Sequence, residues 1–231
     1  MSTDTRSVLT TTEDVMNFMA PFAGGSVPAN TTTEFADWLR WIALGQQDAA
    51  NRGFWRRLLT KADLSIVKDE VTTDLPDNFF KINGIYALYV NDIDWNQNGN
   101  TDDVQIFVEM NPTTAVWRIR WLPDGAISTA TGALWYFFNP PKIAAAADAI
   151  FLDGEMIGFY ALKEYFRKLK QLGSMDDARI EYENRSQDLL SSEMLPSPQE
   201  MAKWSSYQAH RNVSSGEARV YTGRADRSRS R

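Results

Sequence analysis

The chain has 231 residues, of which 43% are hydrophobic and 23% charged, and its net charge is −6. It contains no cysteine, which excludes disulfides, thiolate nucleophiles and cysteine-ligated zinc. We expect no membrane-spanning helix, because no apolar run approaches the roughly 20 residues that cross a bilayer, and no signal peptide, because the N-terminus lacks a basic-then-apolar order.

Two capping boxes predict the first two helices. Thr10-x-x-Glu13 indicates a helix over 11–20, since the threonine hydroxyl and the glutamate carboxylate satisfy each other's backbone N–H groups. Thr31-x-x-Glu34 indicates a second helix over 32–51. Its apolar residues are spaced by three and four, which places them on one face. That face consists of Phe35, Trp38, Leu39 and Ile42, flanked by Trp41 and Trp55.

The pattern after Trp55 changes to short runs of alternating apolar residues separated by turn residues. Such runs are typical of half-buried strands. The region 58–138 is therefore predicted to be a β-rich insert, and no catalytic motif lies within it. Its predicted strands lie at 58–67, 82–90, 104–110, 116–122 and 133–138, with a polar loop at 92–103.

Helical spacing returns after Leu152, where Asp153 fits an N-cap. A third helix is predicted over 153–173 with Gly173 closing it, and a fourth over 175–194, opened by Ser174-x-x-Asp177. The apolar face of the third helix includes Leu169 and Leu172. The fourth helix has few apolar residues, so we expect it to be half exposed, with a solvated charged face that includes Asp176, Asp177, Glu181 and Glu183.

These elements predict an α+β fold with one body over residues 10–195. A helix pair at the N-terminal side and a helical hairpin at the C-terminal side would form that body, with an antiparallel β region inserted between them. Residues 1–9 are predicted to be a flexible N-terminus, and 196–231 an extended C-terminal tail. Beyond His210 the sequence has little to bury, so we expect that part to be disordered when the protein is alone.

The strongest local motif is the loop from Asp94 to Asp102, which matches D-x-N-x-N-G-x-x-D. Oxygen side chains at alternate positions and a turn glycine resemble the first half of a calcium loop. The twelfth position holds Gln105, where calcium loops place a bidentate glutamate, and the predicted flanks are strands. A solvated hairpin loop has the same composition, so we predict no metal and no cofactor.

Other chemistry has weaker support. His210 is the single histidine, and a general base needs a positioned partner that the sequence does not offer. The aromatic run 135–138 fits a base-stacking platform, although strand alternation favours burial on both faces.

We expect no enzyme. A hydrolase that uses carboxylates is the least supported class, and a calcium- or carbohydrate-binding module using the Asp94 to Asp102 loop is the alternative function.

Charge is divided unevenly along the chain. Residues 211–231 carry six arginines against Glu217 and Asp226, a net +4, which leaves −10 for residues 1–210. This tail admits three interpretations: a solubilising segment, a non-specific DNA contact, or a segment that orders on an acidic protein partner.

The order of the elements resembles the head–tail adaptor (connector) proteins of tailed bacteriophages over about residues 11–195. The individual motifs are short, and their order carries the resemblance. The matching segments are the helices at 11–19 and 32–51, Phe54-Trp55, the segment 75–82, Leu134-Trp135-Tyr136-Phe137, Pro140-Pro141, the helix around 158–162, and 178–190.

The resemblance implies a structural virion protein at the head–tail junction, assembled in the host cytoplasm. It implies a homo-oligomeric ring, commonly dodecameric, that joins the portal protein to a tail or neck protein while genome DNA passes through the lumen. The β region would face the tail, and the C-terminal segment would bind the portal. The residues predicted for portal docking are Trp204, Tyr207, Arg211, Arg219, Arg224, Arg227, Arg229 and Arg231.

Overall fold

A computed structural model of the protein describes residues 9–66, 71–80, 85–90, 93–94, 105–122, 130–193 and 195. The chain divides into two units. The helical unit contains described residues of 9–60, 78–80 and 136–195, and the β unit contains described residues of 61–77 and 85–135. Helices and antiparallel sheets are both present, so the α+β fold predicted from the sequence is confirmed.

Four helices lie in the described part of the helical unit: α1 (Thr12–Met19), α2 (Thr33–Asn51), α3 (Gly154–Lys168) and α4 (Leu172–Glu193). The ends of α1 and α2 agree with the predicted 11–20 and 32–51 to within one residue. The N-caps are Thr11 and Thr32, one residue after the predicted boxes begin. At α1 the box closes through Asp14, whose carboxylate accepts the Thr11 N–H at 2.9 Å.

The turn between α3 and α4 corrects the predicted boundary at Gly173. The Gln171 N–H donates to the Phe166 carbonyl at 3.0 Å and the Lys170 N–H to the Arg167 carbonyl at 3.1 Å. Lys170 adopts a φ of +59°, so this pair of bonds is the Schellman arrangement that ends a helix. Helix α3 therefore stops at Lys168, and Gly173 and Ser174 lie inside α4.

Seven strands lie in the described ranges: β1 (Leu59–Ile66), β2 (Thr72–Asp74), β3 (Ile85–Val90), β4 (Ile93–Asp94), β5 (Gln105–Met110), β6 (Trp117–Leu122) and β7 (Ala130–Phe137). One sheet has the order β1-β7-β3-β4 and the other β2-β6-β5. The sequence did not predict β2 or β4, which are three and two residues long. Because Ile93 and Asp94 pair with β3, the predicted loop at 92–103 is wrong at these two positions.

The helical unit has a dense core in which α1, α2 and α3 pack together. Trp38 and Ile42 of α2 are fully buried, as are Met16 of α1 and Ile157 of α3. Gly158 permits the close approach of α1 and α3, because a Cβ at this position would lie 2.6 Å from Cδ1 of Phe18. Within the described ranges, no helix combines the length and the apolar character needed to cross a bilayer.

The core of the β unit is built from alternate strand residues. Ile119 and Trp121 of β6 are fully buried, and the Trp121 indole N–H donates to the Thr73 hydroxyl at 3.2 Å. At the other sheet, Leu88 and Leu134 are also buried. Ile119 and Trp121 are two residues apart and therefore lie on the same face of β6, which is buried.

The aromatic run 135–138 is packed rather than open. Tyr136 and Phe137 are buried, and Trp135 and Phe138 are half-buried. Burial on both faces is the outcome that the alternation predicted, and it leaves few ring faces for stacking on bases.

Candidate functional site

The residues predicted for portal docking all lie outside the described residues, which end at Leu195. Only Asp94 of the predicted calcium loop lies within them. In the part of the chain that the structure describes, no group of three or more His, Asp or Glu side chains is arranged to hold a metal ion. Portal docking and calcium binding therefore both stay predictions.

Helix α4 is attached to α2 through a cluster of charged and aromatic side chains. Arg52 donates two hydrogen bonds to Glu183, at 2.7 and 3.0 Å, and one to Asp48 at 2.9 Å. The hydroxyl of the buried Tyr182 donates to the same Asp48 oxygen at 2.5 Å. The guanidinium carbon of Arg52 lies 4.4 Å from the centre of the Tyr182 ring, which adds a cation–π contact.

This cluster shifts the ionisation of three of its members, and the hydrogen bonds to Glu183 raise the pKa of Arg52. The hydrogen bonds from Arg52 lower the pKa of Glu183. Burial raises the pKa of Tyr182 well above its ordinary value, and the neighbouring Asp48 carboxylate raises it further. The sequence places Glu183 on the solvated face of the fourth helix. Its side chain does stay 44% exposed, but its carboxylate is bound by Arg52 and belongs to the attachment between α4 and α2.

A second attachment joins α4 to the first turn of α3. Asp153 is the N-cap of α3, and its carboxylate accepts the Met156 N–H at 2.9 Å. The same carboxylate accepts hydrogen bonds from Arg185 at 3.1 and 3.3 Å, while its side chain is only 2% exposed. The predicted N-cap at Asp153 is therefore confirmed, and it also holds the middle of α4.

The C-terminal end of α4 is attached as well. Arg57 forms an ion pair with Glu193 at 2.7 Å, and the Leu195 N–H donates to the Phe54 carbonyl at 2.7 Å. Helix α4 is thus fixed at three points along its length.

The turn between α3 and α4 carries exposed apolar side chains. Leu172 is 67% exposed and Leu169 is 46% exposed, whereas the sequence placed both on the buried face of the third helix. We call Leu169 and Leu172 the apolar tip. Phe22 is also exposed, next to Ala23, whose carbonyl accepts the Tyr165 hydroxyl at 2.8 Å.

The β unit has its own exposed apolar element. Among the described strands, β5 lies at the edge of the sheet β2-β6-β5, and its Phe107, Val108 and Met110 are exposed. An edge with exposed apolar side chains on both faces is a typical place for another chain to pair or pack. The side chain of Glu109 is held by Arg118 at 2.6 Å.

A shallow groove of about 640 Å³ also lies in the β unit. Its lining is mainly polar, and its charged members are Asp63, Asp74 and Arg118. Arg118 is already paired with Glu109. The described lining residues include neither a histidine nor a lysine.

No protein-family model matches this sequence. A comparison with curated proteins also finds no match. The surfaces of the chain therefore have to be interpreted from its own residues. In the described ranges, the apolar tip, the edge strand β5 and the outer face of α4 are exposed.

Proposed function

We propose that the chain is a head–tail adaptor of a tailed bacteriophage. It would form a ring at the head–tail junction of the virion, join the portal to a tail or neck protein, let the genome pass, and catalyse no reaction. The order of helices and strands supports this proposal. The observation that carries it furthest is the firmly attached helix α4 together with the exposed apolar tip, because assembly subunits bury such surfaces against each other.

The second exposed element, β5, gives the β unit a role in the same proposal. Its apolar edge would contact the tail-side component, since edge strands bind partners through main-chain hydrogen bonds and alternate side chains. The acidic balance of residues 1–210, with a net charge of −10, suits a channel wall that repels phosphates and lets DNA slide.

The C-terminal segment would bind the portal. Trp204 and Tyr207 would supply apolar contacts, and the six arginines from Arg211 to Arg231 would form ion pairs with acidic residues. Deleting residues 211–231 is expected to abolish co-purification with the portal protein in a pull-down. The helical unit should remain folded and still melt cooperatively, because its described contacts lie within residues 9–195.

A control variant separates charge from chain length. It keeps residues 211–231 and replaces all six arginines with serine. Loss of docking in both variants identifies the arginines as the contact, whereas docking by the serine variant would assign the contact to the length of the segment. Unimpaired docking by the deleted chain would contradict the proposed role of the tail.

A further inference from the structure

The outer face of α4 carries three exposed carboxylates in a helical line. Asp177, Glu181 and Asp188 follow each other at spacings of four and seven residues, so they share one face, with the exposed Asn184 between the last two. Among the described residues, no cation lies within ion-pair distance of any of the three carboxylates. We call these four residues the acidic line.

The arginines of α4 are engaged elsewhere. Arg179 pairs with Asp176 at 3.4 Å, and Arg185 pairs with Asp153 at 3.1 Å. Asp188 is close enough to Arg185 to contribute to the raised pKa of that guanidinium, but it forms no direct ion pair with it. The acidic line therefore faces outward with its charge largely uncompensated.

An exposed apolar residue lies beside the acidic line. Ile180 is 49% exposed, and it follows Asp177 by three residues and precedes Asn184 by four. A partner for this face therefore needs a cation near Asp177, a second cation near Asp188, and an apolar group next to the first.

The C-terminal segment 219–224 has that order of residues. Arg219 is followed directly by Val220 and Tyr221, and Arg224 comes five residues after Arg219. In an extended chain, five residues span about 16 Å at about 3.3 Å per residue. Asp177 and Asp188 are separated by eleven residues of helix, which also rise by about 16 Å. In an extended conformation the two arginines would therefore be as far apart as the two outer carboxylates.

The segment can also reach this face of its own chain. The last described residue, Leu195, is held against Phe54 beyond the end of α4. Twenty-four residue steps separate Leu195 from Arg219, a span of up to about 80 Å when extended. The distance back along the helix from Leu195 to Asp177 is only about 27 Å of rise.

We propose that segment 219–224 docks on the outer face of α4 of its own chain and runs in the same direction as the helix. Arg219 pairs with Asp177 and Glu181, Val220-Tyr221 packs against Ile180, and Arg224 pairs with Asp188. The free subunit then covers two of the arginines that the portal would bind, so portal docking requires the segment to leave α4. This consequence rests on the proposed function, whereas the intramolecular docking itself does not.

A nitroxide label tests the docking on the free full-length chain. Because the chain has no cysteine, Thr222→Cys and Ala225→Cys each provide a unique label site within or next to the segment. In 50 mM NaCl we expect an immobilised component in the electron paramagnetic resonance spectrum. In 0.5 M NaCl this component should shrink strongly, because salt screens exposed ion pairs.

Neutralising the acidic line should have the same effect as salt. Asp177→Asn, Glu181→Gln and Asp188→Asn together are expected to lower the ratio of immobile to mobile label about fivefold in 50 mM NaCl, as the loss of a few exposed ion pairs implies. The matched control neutralises three exposed carboxylates elsewhere, Glu13→Gln, Glu34→Gln and Asp77→Asn. It changes the net charge equally and should leave the ratio as it is.

Three results would overturn the inference. One is a fully mobile label at both sites in the otherwise unaltered chain at low salt. Another is an equal loss of the immobile component in the control, which would mean attraction by net charge alone. The third is an immobile fraction that rises with protein concentration, which would make a second copy the occupant. None of these results bears on portal binding, which the pull-down measures separately.

Discussion

Replacing Asp153 with alanine is expected to lower the free energy of unfolding by about 3 kcal/mol. The substitution removes the N-cap of α3, worth about 1 kcal/mol. It also leaves the Arg185 guanidinium without its main partner, and breaking a buried ion pair costs about 3–5 kcal/mol. The second cost is reduced here, because Arg185 is 24% exposed and keeps Glu155 at 3.5 Å.

Asp153→Asn separates the two contributions. Asparagine keeps a side-chain oxygen for the Met156 N–H but loses the charge that holds Arg185. Denaturant titration should therefore place this variant between the unaltered protein and Asp153→Ala, at a loss of about 1–2 kcal/mol. A loss below about 1 kcal/mol for Asp153→Ala would mean that this attachment of α4 does not stabilise the fold.

Tyr182→Phe is expected to cost about 1.5 kcal/mol at neutral pH. It removes the hydrogen bond to Asp48, and a hydrogen bond to a charged group contributes about 1.5–3 kcal/mol. The lower end applies because Asp48 is partly exposed and keeps Arg52. Tyr160→Phe is the control. The Tyr160 ring packs against the Tyr182 ring at 5.4 Å, but the Tyr160 hydroxyl forms none of the hydrogen bonds described for the cluster. In the same denaturant titration, Tyr160→Phe should lower the free energy of unfolding by only a few tenths of a kcal/mol.

The same substitution predicts a change at alkaline pH. The pKa of Tyr182 is raised in the folded protein, whereas an unfolded tyrosine ionises near pH 10. Above about pH 10 the unfolded chain loses a proton that the folded chain keeps, so stability falls as pH rises. In the unaltered protein the Tyr182 proton makes the free energy of unfolding fall by up to about 1.4 kcal/mol per pH unit. The Tyr182→Phe variant lacks this proton and therefore lacks this part of the fall. The difference in free energy of unfolding between the unaltered protein and Tyr182→Phe should therefore be smaller at about pH 10.8 than at pH 8. A difference that stays constant would contradict the raised pKa.

Local signals in the sequence account for much of the helical unit. The threonine runs before α1 and α2 and the aspartate before α3 all provide caps, so the predicted starts fall within one residue of the observed ones. The turn after α3 was misplaced because a lysine, not a glycine, takes the positive φ there. Nothing in the local sequence marks Lys170 for that conformation.

The attachments of α4 were not predictable in this way. Arg52 and Glu183 are 131 residues apart, and Asp153 and Arg185 are 32 apart. Ion pairs at such separations leave no periodic signal, so the sequence groups Glu183 with its solvated neighbours. By contrast, Ala178, Tyr182 and Leu189, which belong to the few apolar residues of the fourth helix, are buried and recur with the helical period.

Neither the capping residues nor the spacing of apolar residues predicted which apolar side chains are exposed. Leu169 and Leu172 belong to the apolar pattern of α3 by spacing, but the early turn moves them to the apolar tip. Phe107, Val108 and Met110 look like ordinary strand residues, and only the strand order places them on an edge. The exposure of these residues is therefore visible only in the structure.

Electron microscopy of the full-length chain mixed with the purified portal protein tests the adaptor assignment most directly. The account predicts a closed ring of subunits on one face of the portal. It also predicts density from the C-terminal segment of each subunit on the portal surface, and an apolar tip buried against a neighbouring chain. Portal particles that carry no added ring, while the chain remains folded and unattached in the same sample, would contradict it.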